Sequence, residues 1–71
     1  MAKMKRVRSS NLYAIGYDAK KHELDVEFKS GSVYRYSDVD RREYQKLLTA
    51  PSKGKYFSAN IRNDYEFELV N

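Results

Sequence analysis

Seventy-one residues with 14 lysines and arginines against 10 acids, no cysteine and one histidine leave few routes to stability or chemistry. A chain this short buries only about 60% of the surface its unfolded form exposes, no disulfide or thiolate site supplements that core, and His22 alone excludes a structural zinc, which takes about four Cys/His ligands. Burial must come from seven tyrosines and three phenylalanines, and no run has the ~20 apolar residues of a membrane span or the centre of a signal peptide, so one cytoplasmic domain is expected.

The chain opens with Lys3, Lys5, Arg6 and Arg8 and no acid before residue 12, which accounts for the whole net charge of +4. Residues 1–8 are expected as a basic flexible arm outside the fold, and residues 9–71 as a single α+β domain. Basic arms steer toward nucleic acid through phosphate attraction and counterion release, and they also serve plain solubility. Further on, residues 12–50 are neutral. Lys53, Lys55 and Arg62 make the next stretch basic, and Asp64, Glu66 and Glu68 make the last one acidic.

Residues 11–17 (N-L-Y-A-I-G-Y) predict a first strand, ended by a polar turn at Asp18-Ala19-Lys20-Lys21. Residues 22–28 (H-E-L-D-V-E-F) alternate, with Leu24, Val26 and Phe28 on one side and Glu23, Asp25 and Glu27 on the other, as in a half-buried strand. A three-residue loop, Lys29-Ser30-Gly31, puts glycine at the left-handed position such loops need. It pairs the third strand, residues 32–37, so that Ser32 faces Phe28, Tyr34 faces Val26, Tyr36 faces Leu24 and Arg35 falls opposite Asp25. A loop one residue shorter would set Tyr34 against Glu27 and send side chains to the wrong face. By the same logic the first turn pairs Ile15 with Leu24 and Tyr13 with Val26.

Asp40-Arg41-Arg42-Glu43 has the form of a capping box. Tyr44, Leu47 and Leu48 then share a helical face, and Pro51 stops the helix. Ser52 caps a second helix from Lys53 to about Arg62, with Phe57, Ile61 and Tyr65 at a spacing of four. Gly54 weakens that helix by ~1 kcal/mol relative to alanine, which implies close backbone packing or a loop there. Residues 65–70 (Y-E-F-E-L-V) alternate again and add a fourth strand. Sheet first and helices after is an α+β order: a three-stranded antiparallel β-meander, two short helices and a C-terminal strand.

The residues offer little for catalysis. There is no cysteine nucleophile, no glycine-rich phosphate loop and no metal-ligand cluster. Glu23, Asp25 and Glu27 have cations nearby and read as a solvated strand face. His22 reads as an exposed histidine at a strand start. No enzyme and no cofactor is expected. Two features stand out. Tyr34-Arg35-Tyr36 could stack bases, as RNA-recognition sheets do, although the register points both rings toward the helices, where they are core with a hydroxyl near the surface. Ser52-Lys53-Gly54-Lys55 opens a helix whose free N–H groups and flanking lysines suit a phosphate, with Arg62 about 12 Å along at 1.5 Å per residue. The plain alternative is a serine cap on a solvated helix.

Together, Ser9-Ser10, Gly16-Tyr17, Leu24-x-Val26-x-Phe28, Gly31-x-x-Tyr34-x-Tyr36, Val39, Tyr44-x-x-Leu47, Ser52-x-Gly54-x-x-Phe57 and Ile61-Arg62 resemble the KTSC domain. That family is named for the C-terminus of some lysyl-tRNA synthetases and also occurs as small stand-alone proteins of bacteria and phages. Asp40 departs from the family's Val-Pro pair, an acidic cap replacing a proline at a helix start. The resemblance implies RNA binding, through Ser9, Ser10, Tyr34, Tyr36, Ser52, Gly54 and Arg62.

The expected function is therefore a non-catalytic RNA-binding module. The phosphate-binding residues are Lys3, Lys5, Arg6 and Arg8 of the arm, with Ser52, Lys53, Gly54, Lys55 and Arg62. The alternatives are sequestration of a small phosphorylated ligand or nucleotide signal at the same residues, and a protein-interaction module acting through a strand edge. A homo-oligomer joined by the C-terminal strand belongs with the last.

Overall fold

The computed structural model describes residues 3–71. Five strands and two helices follow one another along the chain: β1 (Lys5–Arg6), β2 (Leu12–Asp18), β3 (Glu23–Phe28), β4 (Val33–Tyr36), α1 (Arg41–Thr49), α2 (Lys53–Asn60) and β5 (Phe67–Leu69). The strands form one antiparallel sheet in chain order, β1-β2-β3-β4-β5. This is the expected α+β meander with its C-terminal strand added and one further strand at the opposite edge. Among the described residues, no helix is long and apolar enough to cross a membrane.

The β3–β4 turn follows the sequence pattern closely. Phe28 N–H donates to Ser32 C=O at 2.9 Å and Gly31 N–H to Phe28 C=O at 2.9 Å. Gly31 sits at φ 98, in the left-handed region that glycine enters without a Cβ penalty. The pairing is Leu24 with Tyr36, Asp25 with Arg35 and Val26 with Tyr34, as the three-residue loop predicts.

The first turn differs. Tyr17, not Ile15, pairs with Leu24, and Ile15, not Tyr13, pairs with Val26. Asp18 is the last residue of β2 rather than the first of the turn. Its carboxylate accepts the N–H groups of Lys20 and Lys21 at 3.0 and 3.2 Å, so the loop comprises residues 19–22 and ends on His22 at φ 55. The ladder is thereby displaced by two residues, which keeps Ile15 and Tyr17 on their expected face but not the residues before Ala14, where Leu12 turns into the core. Tyr13 drops out of the ladder at an irregularity between Leu12 and Ala14 and is exposed.

The expected arm does not stay outside the fold. Lys5 pairs with Ile15 and Arg6 with Ala14, Val7 N–H donates to Tyr13 C=O at 3.0 Å, and Val7 packs against the core. Met1 and Ala2 lie outside the described residues.

The helices cover one face of the sheet. Leu12, Ile15, Leu24, Val26, Tyr36, Val39, Leu47, Phe57 and Ile61 form the buried cluster, with Tyr44, Leu48 and Tyr65 packed against it. α1 and α2 thus present the faces that their spacing predicts. Asp40 caps α1, accepting the Arg42 N–H at 2.9 Å. Glu43, however, does not complete a capping box: its carboxylate accepts the hydroxyls of Tyr56 and, at 3.1 Å, Tyr65. It joins α1 to α2 and to the segment before β5 instead of closing its own helix end. Burial and this acceptor push the Tyr56 pKa up to about 12.

On the opposite face of the sheet the acids are not uniformly solvated. Asp25 is only 2% exposed and is gripped by Arg35 through Nε–Oδ1 at 2.9 Å and Nη2–Oδ2 at 3.1 Å, with Glu23 3.6 Å from the same guanidinium. Residues 3–4 lie across the neighbouring Gly16: a Cβ there would sit 2.8 Å from both Lys3 O and Met4 Sδ. Hydrogen bonding to Asp25 and its charge raise the Arg35 pKa above its usual value.

Candidate functional site

A groove runs along α2 where the helix meets the loop before β2 and the β4–β5 edge. Its wider part, about 770 Å³, is lined by Phe28, Tyr34, Tyr36, Phe57 and Phe67 with Lys29, Arg62, Asn11 and Asn63 among its polar residues. The remainder, about 610 Å³, is lined by Ser52, Gly54 and Lys55 at the start of α2. Ser10, Asn11 and Ser58 line both parts. The floor is apolar because alternation turns Phe28 of β3, Tyr34 and Tyr36 of β4 and Phe67 of β5 to this side, and the rim is polar because the helix and loops supply it.

The rings meet largely edge to face. Phe28 and Tyr34 are 5.6 Å apart at 83°, and Tyr34 and Phe67 are 5.6 Å apart at 63°. Phe57 meets Phe28 and Tyr36 in the same manner. Such pairs hold one another's orientation. Tyr36 is buried, Tyr34 is half-buried and Phe67 is 54% exposed, so the aromatic surface grades from core to solvent. Burial raises the Tyr36 pKa while the nearby Arg62 charge opposes that rise. Among the described residues no carboxylate lies within ion-pair distance of Arg62.

The candidate residues separate into three groups. Ser10, Tyr34, Tyr36, Ser52, Gly54, Lys55 and Arg62 all line the groove. Ser9 and Lys53 act within the scaffold. The Ser9 hydroxyl accepts the Leu12 N–H at 3.2 Å, and Lys53 Nζ donates to Ala50 C=O at 3.3 Å, back toward the end of α1. Ser52 does both jobs, since its hydroxyl also accepts the Lys55 N–H. Lys5 and Arg6 form the third group with the exposed Lys3 and Arg8 around them; β1 is the edge strand farthest from β5. Arg6 is stacked on the Tyr13 ring, 4.2 Å from its centroid.

Gly54 lies where α2 approaches the loop before β2 most closely. A Cβ at this position would lie 2.6 Å from Asn11 Oδ1 and 3.0 Å from Ser9 Oγ, so any larger residue must push those two side chains aside. Asn11, Phe28, Lys29, Ser58 and Phe67 were not among the expected residues. Gly54, Ser58 and Arg62 recur every fourth residue, a helical stripe that singles out Ser58. Phe28 and Phe67 stand on alternating strands and read as core alone.

The sequence model of the KTSC domain matches residues 8–65. An uncharacterized protein of Stutzerimonas stutzeri is 47% identical over 57 residues, which cover 78% of this chain and 80% of that protein. A lysine–tRNA ligase of Nostoc punctiforme is 42% identical over 54 residues, 76% of this chain, but the matched part is only 10% of the ligase. The crystal structure of a KTSC domain protein from Yersinia pestis superposes with a TM-score of 0.96 at 28% identity, covering all of both chains.

Proposed function

The chain belongs to the KTSC domain family, and from that premise we propose that it is a non-catalytic module that binds single-stranded RNA along α2. The observation that carries this reading is the groove itself, where half-exposed rings of Tyr34 and Phe67 stand beside the cation Arg62, which has no ion-pair partner among the described residues, and the loop cation Lys29. Bases stack on such rings without needing a sequence code, at about 1–3 kcal/mol per base. Cations along the rim then meet the phosphates, and Lys55 extends that line past Ser10. The basic residues of β1 add long-range attraction from the far edge of the sheet. The lysine–tRNA ligases among the relatives carry an RNA substrate in their names, which supports RNA over DNA.

Fluorescence anisotropy with a labelled single-stranded RNA at low salt tests the reading. Binding that weakens steeply with salt is expected, with Phe67→Ala costing about tenfold for one lost stack and Arg62→Gln flattening the salt slope by about 0.7. No binding at low salt, or binding indifferent to both substitutions, sinks it.

A second reading rests on the size of the wider part, about 770 Å³, which lies within the ~300–1,000 Å³ usual for small-ligand sites. A small phosphorylated ligand such as a nucleotide would then occupy the aromatic end alone. Calorimetry separates the two: one-site stoichiometry with a shallow salt dependence favours the small ligand.

A further inference from the structure

We infer that the β5 edge of one molecule takes the β1 edge of a second copy, joining molecules into an open array. Among the described residues, β1 and β5 each have a neighbour on one side only, so both present unpaired backbone N–H and C=O groups. The two edges carry opposite charge. Lys3, Lys5, Arg6 and Arg8 lie in and around β1, and Asp64, Glu66 and Glu68 in and before β5.

The antiparallel order gives β1 and β5 the same direction within one molecule. A second copy in the same orientation therefore brings its β1 alongside β5 as a parallel ladder, with the helices of both copies on the same face. Side-chain parity then matches. Arg6 pairs with Ala14, which pairs with Glu27, so Arg6 belongs to the face opposite the helices. Glu68 pairs with Arg35, opposite Asp25, on that same face. The partner's Arg6 thus comes level with Glu66 and Glu68. On the helix face, the partner's Lys5 lies along the exposed Phe67 and Leu69, where its alkyl stem covers apolar surface.

The competing arrangements are self-opposed. Two β5 edges meeting around a two-fold axis set Glu66 and Glu68 against the same acids, and two β1 edges set Lys5 and Arg6 against the same bases; like charges across a strand pair destabilise it. A contact between unlike edges leaves a free edge at each end and does not close on itself as a two-fold dimer does. Resting on the groove reading above, this contact also has a consequence for the ligand site. Phe67 lines the groove, so the second copy's Lys5 joins its rim and brings together the basic and aromatic surfaces that a single molecule keeps at opposite edges.

Analytical ultracentrifugation of the full chain without nucleic acid tests the contact independently of RNA binding. At low salt the weight-average mass is expected to rise with concentration past that of a dimer, and to fall back as sodium chloride is added. Glu66→Lys/Glu68→Lys and Lys5→Glu/Arg6→Glu, each checked for an intact fold by circular dichroism, are each expected to lose association alone. Mixing the two restores it, because both edges of one are then basic and both edges of the other acidic. A wild-type chain that stays monomeric at low salt, a closed dimer indifferent to salt, or a mixture that remains monomeric overturns the inference.

Discussion

On the helix side of the sheet nine buried residues, Phe57 among them, form one apolar cluster, whereas on the other side one carboxylate, Asp25, is sealed beside Gly16 and residues 3–4 with Arg35 clamped to it. The first face holds by area removed from water, which is tolerant of detail and grows with every ring. The second holds by geometry, since a buried charge is costly until its partner is in place. A small chain short of apolar residues uses both: rings where helices cover the sheet, and an ion pair where only a single extended segment does.

Substitutions at the two faces should separate these mechanisms, and the largest effect is expected at the plug of the helix side. Phe57→Ala removes a ring that contacts Phe28 and Tyr36 and should cost about 3–5 kcal/mol in urea denaturation. A loss under about 1 kcal/mol would show that the neighbouring rings collapse into the space and that the interlocking is loose.

Asp25→Ala comes next. It strands the partly exposed Arg35 guanidinium, at an expected cost of about 2–3 kcal/mol after allowing for that exposure. The distinguishing result is the double substitution Asp25→Leu with Arg35→Met, which should be less harmful than Asp25→Ala alone because no charge is left without its partner. Equal costs would mean that the pair adds nothing beyond packing.

Gly16→Ala probes the same face more gently. The added methyl meets Lys3 O and Met4 Sδ at 2.8 Å, so residues 3–4 must shift, for about 1–2 kcal/mol. Amide chemical shifts should change over residues 3–6 while those of β4 stay put.

The smallest effect at neutral pH is expected from Tyr56→Phe, about 1 kcal/mol for the hydrogen bond to Glu43. This one depends on pH. The folded-state pKa of Tyr56 is raised from 10.0 to about 12, so the unfolded chain gives up its proton first. The tyrosine's contribution is whole below pH 10 and disappears as the pH climbs to about 12. The stability difference between wild type and Tyr56→Phe should close over that interval.

The two hairpins show what a sequence discloses about such a fold. At Lys29-Ser30-Gly31 the glycine and the face chemistry of Val26, Tyr34, Asp25 and Arg35 agree on one register, and the observed pairing is that register. At the first hairpin Asp18 is a turn-former by type, yet it serves as the strand's last residue by turning its carboxylate onto the two following N–H groups. The face pattern is indifferent to a shift of two, so nothing in it corrects the error. β1 is invisible for a different reason: Lys5-Arg6 lacks strand formers and is recruited by the open edge of β2. Glu43 stands where a capping box wants it, but its acceptors' partners lie 13 and 22 residues onward, beyond any local pattern. Tyr34, Gly54 and Arg62 could be picked out in advance because a Tyr-x-Tyr on a strand and a glycine in a helix each demand a reason. Phe28 and Phe67 could not, since alternation alone does not tell a ring inside the core from one at the groove's edge.

The chain pairs each of its first four strands with a neighbour a short turn away, but β5 reaches β4 only after both helices have been laid down. That last ladder closes the longest loop in the sheet, and every residue of β5 is exposed, Phe67 and Leu69 both by more than half. Loop closure must be met before such a contact repays it, so β5 zips late and frays early. Its amides should exchange with deuterium well ahead of those in β3. Because Phe67 forms one wall of the groove, every such fraying event also swings that wall aside, giving an otherwise rigid little sheet a door.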